Sequence, residues 1–224
     1  MKRILSFFLT LVLTAALLCP AALAVNETAG KDRDWVYITL DPGHGGDGAG
    51  GNDSGAVNEK YGYQEADLVL KIGLYLKEEL ETYRNVHVDM TRSDRYGTSA
   101  TAPLSKVENR VLYAAEQCSD LLVSLHLNSA GSNQSVHGGL ILASNGNYDP
   151  DCAKVIDAVG TNILAQLSRL GIDTSRGLIK EGSHDGTTYP NGKLADYYGI
   201  VRYGQLRHIP AMIAFVIYLI AGNA

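Results

Sequence analysis

From Trp35 onward, short apolar runs rich in β-branched residues alternate with longer stretches whose apolar positions recur every three to four residues. The first kind predicts strands and the second predicts helices. Val36–Leu40 reads as a strand stopped by Asp41-Pro42-Gly43, and Val86–Thr91 reads as another. Asp120–Leu127 is almost continuously apolar, as expected of a strand covered on both faces. Gly139–Ala143 and Gly177–Lys180 predict shorter strands, and the apolar run Ile209–Ile220 predicts a last one. Helices are predicted over Ala66–Tyr83, Ser105–Gln117 and Cys152–Leu170, the last with Gly171 placed to stop it. On the first helix, Leu68, Ile72, Tyr75, Leu76 and Leu80 are expected to face inward, with Lys71, Lys77, Glu78 and Glu81 opposite. Thr187–Tyr197 is turn-rich. Strands alternating with helices predict a single α/β domain with a mostly parallel sheet, and no internal repeat interrupts the alternation.

The start of the chain follows a different pattern. Lys2 and Arg3 precede an apolar run from Ile4 to Leu18, Pro20 breaks it, and Ala22-Leu23-Ala24 fits a small-x-small cleavage site. Residues 1–24 therefore read as a secretory signal peptide, and the polar residues 25–34 as a linker to the domain at 35–224. An uncleaved anchor is the competing reading, but the apolar run is short for a span needing about 20 residues. The expected location is outside the cytoplasm: secreted, in the cell wall or in the periplasm.

The 224-residue chain carries a net charge of −5, and the two positive charges in residues 1–24 would leave −7 after cleavage. An acidic domain without a Lys/Arg-rich patch is a poor candidate for nucleic acid. Of three cysteines, Cys118 and Cys152 lie in the predicted domain, both in helix-like stretches and outside any CxxC pattern. They predict buried, unpaired thiols rather than a disulfide framework or a cysteine metal site.

Three residues at element ends carry the candidate chemistry. His44 follows the first strand, Glu65 directly precedes the first helix, and His126 sits near the end of the apolar strand. In an open α/β sheet, ligands collect at the carboxyl ends of the strands. Two imidazoles and a carboxylate suit zinc with an open fourth position for water, whose pKa the metal lowers to about 7. Taken singly, each residue has a plainer reading. His44 fits a turn among glycines, His126 a backbone-satisfied core histidine, and Glu65 an acid favoured at a helix N-terminus.

The local sequences favour the metal reading. LDPGHGG (residues 40–46), YQEADLVL (63–70) and SLHLNS (124–129) resemble, in that order, the zinc-dependent N-acetylmuramoyl-L-alanine amidases of the amidase-3 family. MTRSD (90–94), ENRVLYAAEQCSDLLVSLHLNS (108–129), VHGGLILAS (136–144), RGLIK (176–180) and LRHIPAMI (206–213) extend the resemblance. It implies a phosphorylase/hydrolase-like fold, a twisted, mostly parallel sheet with helices on both faces. It also implies His44, Glu65 and His126 as the ligands of one Zn2+, and cleavage of the bond between N-acetylmuramic acid and L-alanine in peptidoglycan.

One expected part is missing. The resemblance calls for a catalytic glutamate shortly after Pro210-Ala211-Met212-Ile213, and Phe215 stands at that place with no acid between Pro210 and Ala224. A phenyl ring accepts no proton. Three explanations stand open: an altered or truncated tail, an impaired relative that binds zinc and cell wall, or another acid, Glu181 or Asp185, acting instead. A covering helix missing after the last strand would leave Ile213–Ile220 exposed and the protein marginally stable. A zinc carboxypeptidase is a further alternative, with Arg92, Arg110 or Arg202 to hold a terminal carboxylate. His87, His137 and His208 are expected to be structural or at the surface, His184 lies in a loop of the kind that shapes clefts, and Tyr189, Tyr197, Tyr198 and Tyr203 are expected to pack.

Overall fold

The computed structural model describes residues 34–46, 53–97, 101, 103–128 and 137–218. The predicted signal peptide, the linker up to residue 33 and the residues after 218 lie outside the described residues. The elements in chain order are β1 (Val36–Pro42), β2 (Val57–Asn58), β3 (Tyr63–Gln64), α1 (Glu65–Leu80), β4 (Val86–Met90), α2 (Val107–Glu116), β5 (Leu121–Asn128), β6 (Leu140–Ala143), α3 (Pro150–Arg169), β7 (Leu178–Lys180), α4 (Gly199–Leu206) and β8 (Ala211–Tyr218).

Six strands form one sheet in the order β4-β1-β5-β8-β6-β7, and β2 and β3 form a small hairpin beside it. β1 is parallel to β4 and β5, β5 to β8, and β6 to β7. The pairing of β6 with β8 is antiparallel. The mostly parallel sheet is thus as expected, but β6 and β7 run the other way, and strand periodicity holds no information on direction.

Alternate side chains of each strand feed two cores. On one face Ile38, Leu40, Val123, Leu125, Ile141, Met212 and Ala214 pack with Val69, Leu76 and Leu80 of α1 and with Ile156, Val159 and Ile163 of α3. On the other, Leu122, Leu140, Leu142, Ala211 and Ile213 pack with Val111 and Ala114 of α2 and with Ile200 and Val201 of α4. Among the described residues, two helices therefore cover each face. Ile213 and Ala214 are buried, so the expected exposure of the last strand does not begin there.

The inward stripe of α1 differs from expectation. The buried positions are Glu65, Ala66, Val69, Gly73, Leu76 and Leu80, whereas Tyr75 is 47% exposed. The rotation centres on Gly73, where a Cβ would meet Pro42 at 3.0 Å and Met90 at 3.1 Å. A glycine that lets helix and sheet approach closely adds nothing to a hydrophobic count. The helix α3 begins as its sequence suggests, with the Asp149 side chain accepting hydrogen bonds from the amides of Asp151 and Cys152 and with Pro150 in the first turn. The short α4 and the β2–β3 hairpin were not anticipated from periodicity, being too brief to establish one. Cys152 is buried and Cys118 half-buried in the turn after α2, and both are free thiols. No helix among the described residues is long and apolar enough to cross a membrane.

Candidate metal centre and its family

β1 and β5 are neighbouring parallel strands, so their carboxyl ends share one edge of the sheet. His44 leaves β1 at that edge, and His126 lies on β5 two residues beyond Ser124, the partner of Asp41. The N-terminus of α1 presents Glu65, its first residue, to the same place. His44 Nε2 is 3.0 Å from Glu65 Oε1, His126 Nδ1 is 3.1 Å from the same oxygen, and the two nitrogens are 3.1 Å apart. Tetrahedral zinc with ligand bonds of about 2.0–2.1 Å separates its ligand atoms by about 3.3 Å. The three donor atoms therefore have the spacing and chemistry that a divalent ion of this size requires.

The surrounding chain fixes each donor. Glu65 is almost fully buried; its Oε1 accepts from the Leu127 amide at 2.8 Å and its Oε2 from the Ala56 amide at 3.0 Å. Burial alone would raise its pKa, but hydrogen bonds to His126, His44 and Ala56 outweigh that and hold the carboxyl well below its usual range. His44 Nδ1 lies 2.9 Å from Asp53 Oδ2, leaving Nε2 for the shared centre. Burial pulls the His44 pKa down, and the contacts with Glu65 and Asp53 more than reverse it, so the net shift is upward.

Two glycines make room for the rings. A Cβ on Gly43 would lie 2.3 Å from His126 Cε1 and Nε2, and one on Gly55 would lie 2.7 Å from His44 Cδ2 and 2.8 Å from Glu65 Cβ. Gly43→Ala is expected to displace the His126 ring and weaken metal binding about 10–100-fold, as loss of an orienting contact does elsewhere. Titration with zinc against a competing chelator measures it, and wild-type affinity in the variant would refute the steric account.

A buried polar cluster, not anticipated from the sequence, holds the turn that carries His44. Asp41 accepts from Thr91 Oγ1 at 2.6 Å, Ser124 Oγ at 2.6 Å and Arg110 Nη1 at 2.7 Å. The carbonyls of Pro42, Gly43 and His44 accept in turn from Arg92 Nε (2.8 Å), Arg92 Nη2 (2.7 Å) and Arg110 Nη2 (2.8 Å). Arg92 also donates to Ala66 O at 2.8 Å, joining the turn to the start of α1. This bracing supports His44 at a φ of 60°, a left-handed conformation that is uncommon outside glycine. Burial and the neighbouring Arg110 draw the Arg92 pKa down to about 10, which leaves it charged at neutral pH.

Burial pushes the Asp41 pKa up, while Arg110, Ser124 and Thr91 together pull it below the ordinary 3.8. A carboxyl with a depressed native pKa stabilises the fold fully above its ordinary value and loses that contribution as the pH falls through the native one. Asp41→Asn is therefore expected to flatten the acid limb of a plot of Tm against pH below about pH 4. An unchanged acid limb would assign acid unfolding to other groups.

Other candidates fall elsewhere. Arg92 and Arg110 are committed to backbone and Asp41, and Arg202 Nη1 donates to Asp196 O at 3.2 Å, so none of the three is aimed at a substrate carboxylate. Glu181 and Asp185 follow β7, whose direction opposes β5, and so they lie at the opposite edge of the sheet. Three strand spacings amount to about 14 Å across the sheet before the offset along it is added. Neither can stand in for an acid at the site. Glu181 contacts His184 Nε2 at 2.7 Å, and Asp185 accepts from Thr187 Oγ1 at 2.7 Å. His208 Nδ1 is 2.6 Å from Asp149 Oδ2 and His87 Nε2 is 3.2 Å from Asp89 Oδ2, structural or surface roles as expected. Tyr189 is buried, with its hydroxyl donating to Asp196 at 2.7 Å, whereas Tyr197 is 44% exposed against the His184 ring rather than packed. Phe215 is the parallel partner of His126, and the two ring centroids are 5.6 Å apart.

Comparison with known proteins identifies the family and the fold. Residues 38–202 match the family model Amidase_3, N-acetylmuramoyl-L-alanine amidase, a range that includes all three donors and stops short of the 206–213 stretch and Phe215. The amidase AmiC of Escherichia coli O6:H1 is 37% identical over 128 residues, which are 57% of this chain and 27% of that protein, so the chain spans about a quarter of that relative. Among solved structures, an N-acetylmuramoyl-L-alanine amidase from Clostridium difficile 630 is similar with a TM-score of 0.56, at 21% identity over 83% of this chain and 81% of that one. The catalytic domain of CwlV from Bacillus (Paenibacillus) polymyxa var. colistinus gives 0.52, at 22% identity over 82% and 80%. At such identities the two structures speak for the fold. With the family model matched across most of its described residues, this chain belongs to the Amidase_3 family of N-acetylmuramoyl-L-alanine amidases.

Proposed function

We propose that this chain is an exported zinc amidase that acts on peptidoglycan, cleaving the amide between N-acetylmuramic acid and L-alanine. The observation that carries the reading is the convergence of His44 Nε2, Glu65 Oε1 and His126 Nδ1 to 3.0–3.1 Å of one another at the sheet edge, in a chain of this family. Zinc held there would supply a water of lowered pKa and polarise the scissile carbonyl. The protein's own part is to keep Glu65 ionised through the Ala56 and Leu127 amides, and to present Nε2 of His44 by occupying Nδ1 with Asp53. The apolar leader at residues 4–18 supports export to the cell wall or periplasm.

A second reading rests on Phe215, whose ring stands beside His126 where the resemblance calls for a proton-accepting glutamate. In this reading the protein binds zinc and muropeptide and turns over weakly. Metal analysis after dialysis against zinc should find one ion per wild-type chain, and less in His44→Ala and His126→Ala. Purified cell walls should release free amino groups slowly, and a chelator should stop it. Wild-type protein without bound zinc would overturn both readings, while stoichiometric zinc with binding but no release would leave the second.

A further inference from the structure

Gln64 directly precedes α1 in extended backbone, a position from which a side-chain oxygen commonly accepts from an amide of the first turn. Gln64 makes no such bond. The first amides of α1 are taken by another segment: Glu65 N donates to Ala56 O at 2.8 Å and Ala66 N to Ser54 O at 3.0 Å. The Gln64 side chain turns instead to Arg95, whose Nη2 donates to Gln64 Oε1 at 2.9 Å.

Arg95 reaches the other side of the metal centre through its main chain. Its carbonyl accepts at 3.0 Å from the amide of Gly46, two residues after His44. Gly45 comes so close that a Cβ there would lie 3.0 Å from the same oxygen. The turn that carries Arg95 is itself fixed. Asp94 Oδ1 accepts from the amides of Tyr96 at 2.7 Å and Gly97 at 3.1 Å, and Asp94 O accepts from Arg92 Nη1 at 3.0 Å. Arg95 therefore holds the segment after His44 with its backbone and the residue before Glu65 with its side chain. Buried Arg92 makes a comparable span inside, from Gly43 O to Ala66 O, whereas Arg95 is half-buried.

We propose that Arg95 is a positioning residue for the metal donor Glu65, a strut that acts through Gln64 to set Glu65 against His44 and so raises the affinity for zinc, an inference resting on the metal-centre reading above. Donor atoms must be held to within about 0.5 Å to bind an ion well, and contacts behind the ligands do that work. The charge of Arg95 acts in the opposite direction. A guanidinium repels a nearby divalent cation, so on charge alone its removal would tighten zinc binding. Positioning predicts the reverse, and the sign of the change separates the two. Gln64 carries no charge, so its truncation breaks the strut and leaves the cation in place.

The test is a zinc titration against a competing chelator, run on wild type, Arg95→Ala, Gln64→Ala and the double variant. Each single variant is expected to bind zinc about tenfold more weakly than wild type, the lower end of the range for contacts behind a ligand. The double variant should bind no more weakly than either single one, because both substitutions remove the same contact. The metal-free proteins should melt at the same Tm. Unchanged or tighter binding by Arg95→Ala would overturn the strut and leave only the charge. Losses that add in the double variant would also overturn it, since Arg95 would then act through something other than Gln64. A loss matched by a lower metal-free Tm in both single variants would assign the effect to the fold rather than to positioning. Wild-type protein that takes up no zinc would remove the metal centre itself, whereas zinc held equally by wild type and variants removes the strut alone.

Discussion

Phe215→Glu is expected to raise kcat/KM for release of stem peptides from cell walls by about 10²–10⁴-fold, the contribution typical of a positioned general base. The reason is geometric. In β8, Phe215 is paired with His126 on the neighbouring strand, and alternation places both side chains on the same face of the sheet. The half-buried ring packs at the margin of the core with its centroid 5.6 Å from that of the imidazole, so a glutamate side chain at this position would extend beside His126 and toward the other two donors. Phe215→Gln is the control, since it has the shape of glutamate and no basic oxygen. If the glutamate variant is no faster than the glutamine variant while both hold zinc, position 215 is not where the base belongs.

The second large effect is on stability. Arg110→Met should destabilise the fold by about 3–5 kcal/mol, because it leaves the Asp41 charge buried without its partner. Asp41 is 1% exposed and Arg110 5%, so solvent cannot replace the lost 2.7 Å contact. The carbonyls of Leu104 and His44 lose their Arg110 donors at the same time. Urea unfolding monitored by circular dichroism measures the change. A double variant, Arg110→Met with Asp41→Leu, should recover much of the loss, since apolar replacement of both partners is far less costly than removing one. If the single variant is as stable as wild type, the network is not what braces the His44 turn.

The three candidate donors were legible in the sequence because each sits at an element boundary inside a stretch that resembles the amidase-3 family. Of the glycines of LDPGHGG, Gly43 is explained by the close approach of the His126 ring, and Gly45 by its φ of +84° and the nearness of Arg92 and Arg95. Asp53 was less legible, since nothing in the glycine-rich loop distinguishes it from a turn aspartate until Nδ1 of His44 is found beside it. Arg92 and Arg110 were misjudged as candidate carboxylate anchors. Their targets are carbonyls 49 and 66 residues away, and no local pattern records such partners.

The sequence by itself determined the alternation of strands and helices and the burial of β5 on both faces, which follow from local periodicity. It offered His44, Glu65 and His126 as candidate metal donors through the motifs that carry the amidase-3 resemblance, because spacing and residue type left plainer readings of each open. Tertiary structure alone decided that β6 and β7 run against the other strands, which puts Glu181 and Asp185 at the far edge and removes them as substitutes for a missing acid. It also decided that α1 buries its glycine face, that two arginines serve the backbone rather than a substrate, and that Phe215 stands beside His126. Each of these depends on which distant segments meet, and hydrophobic period is the same whichever neighbour a strand or helix finds.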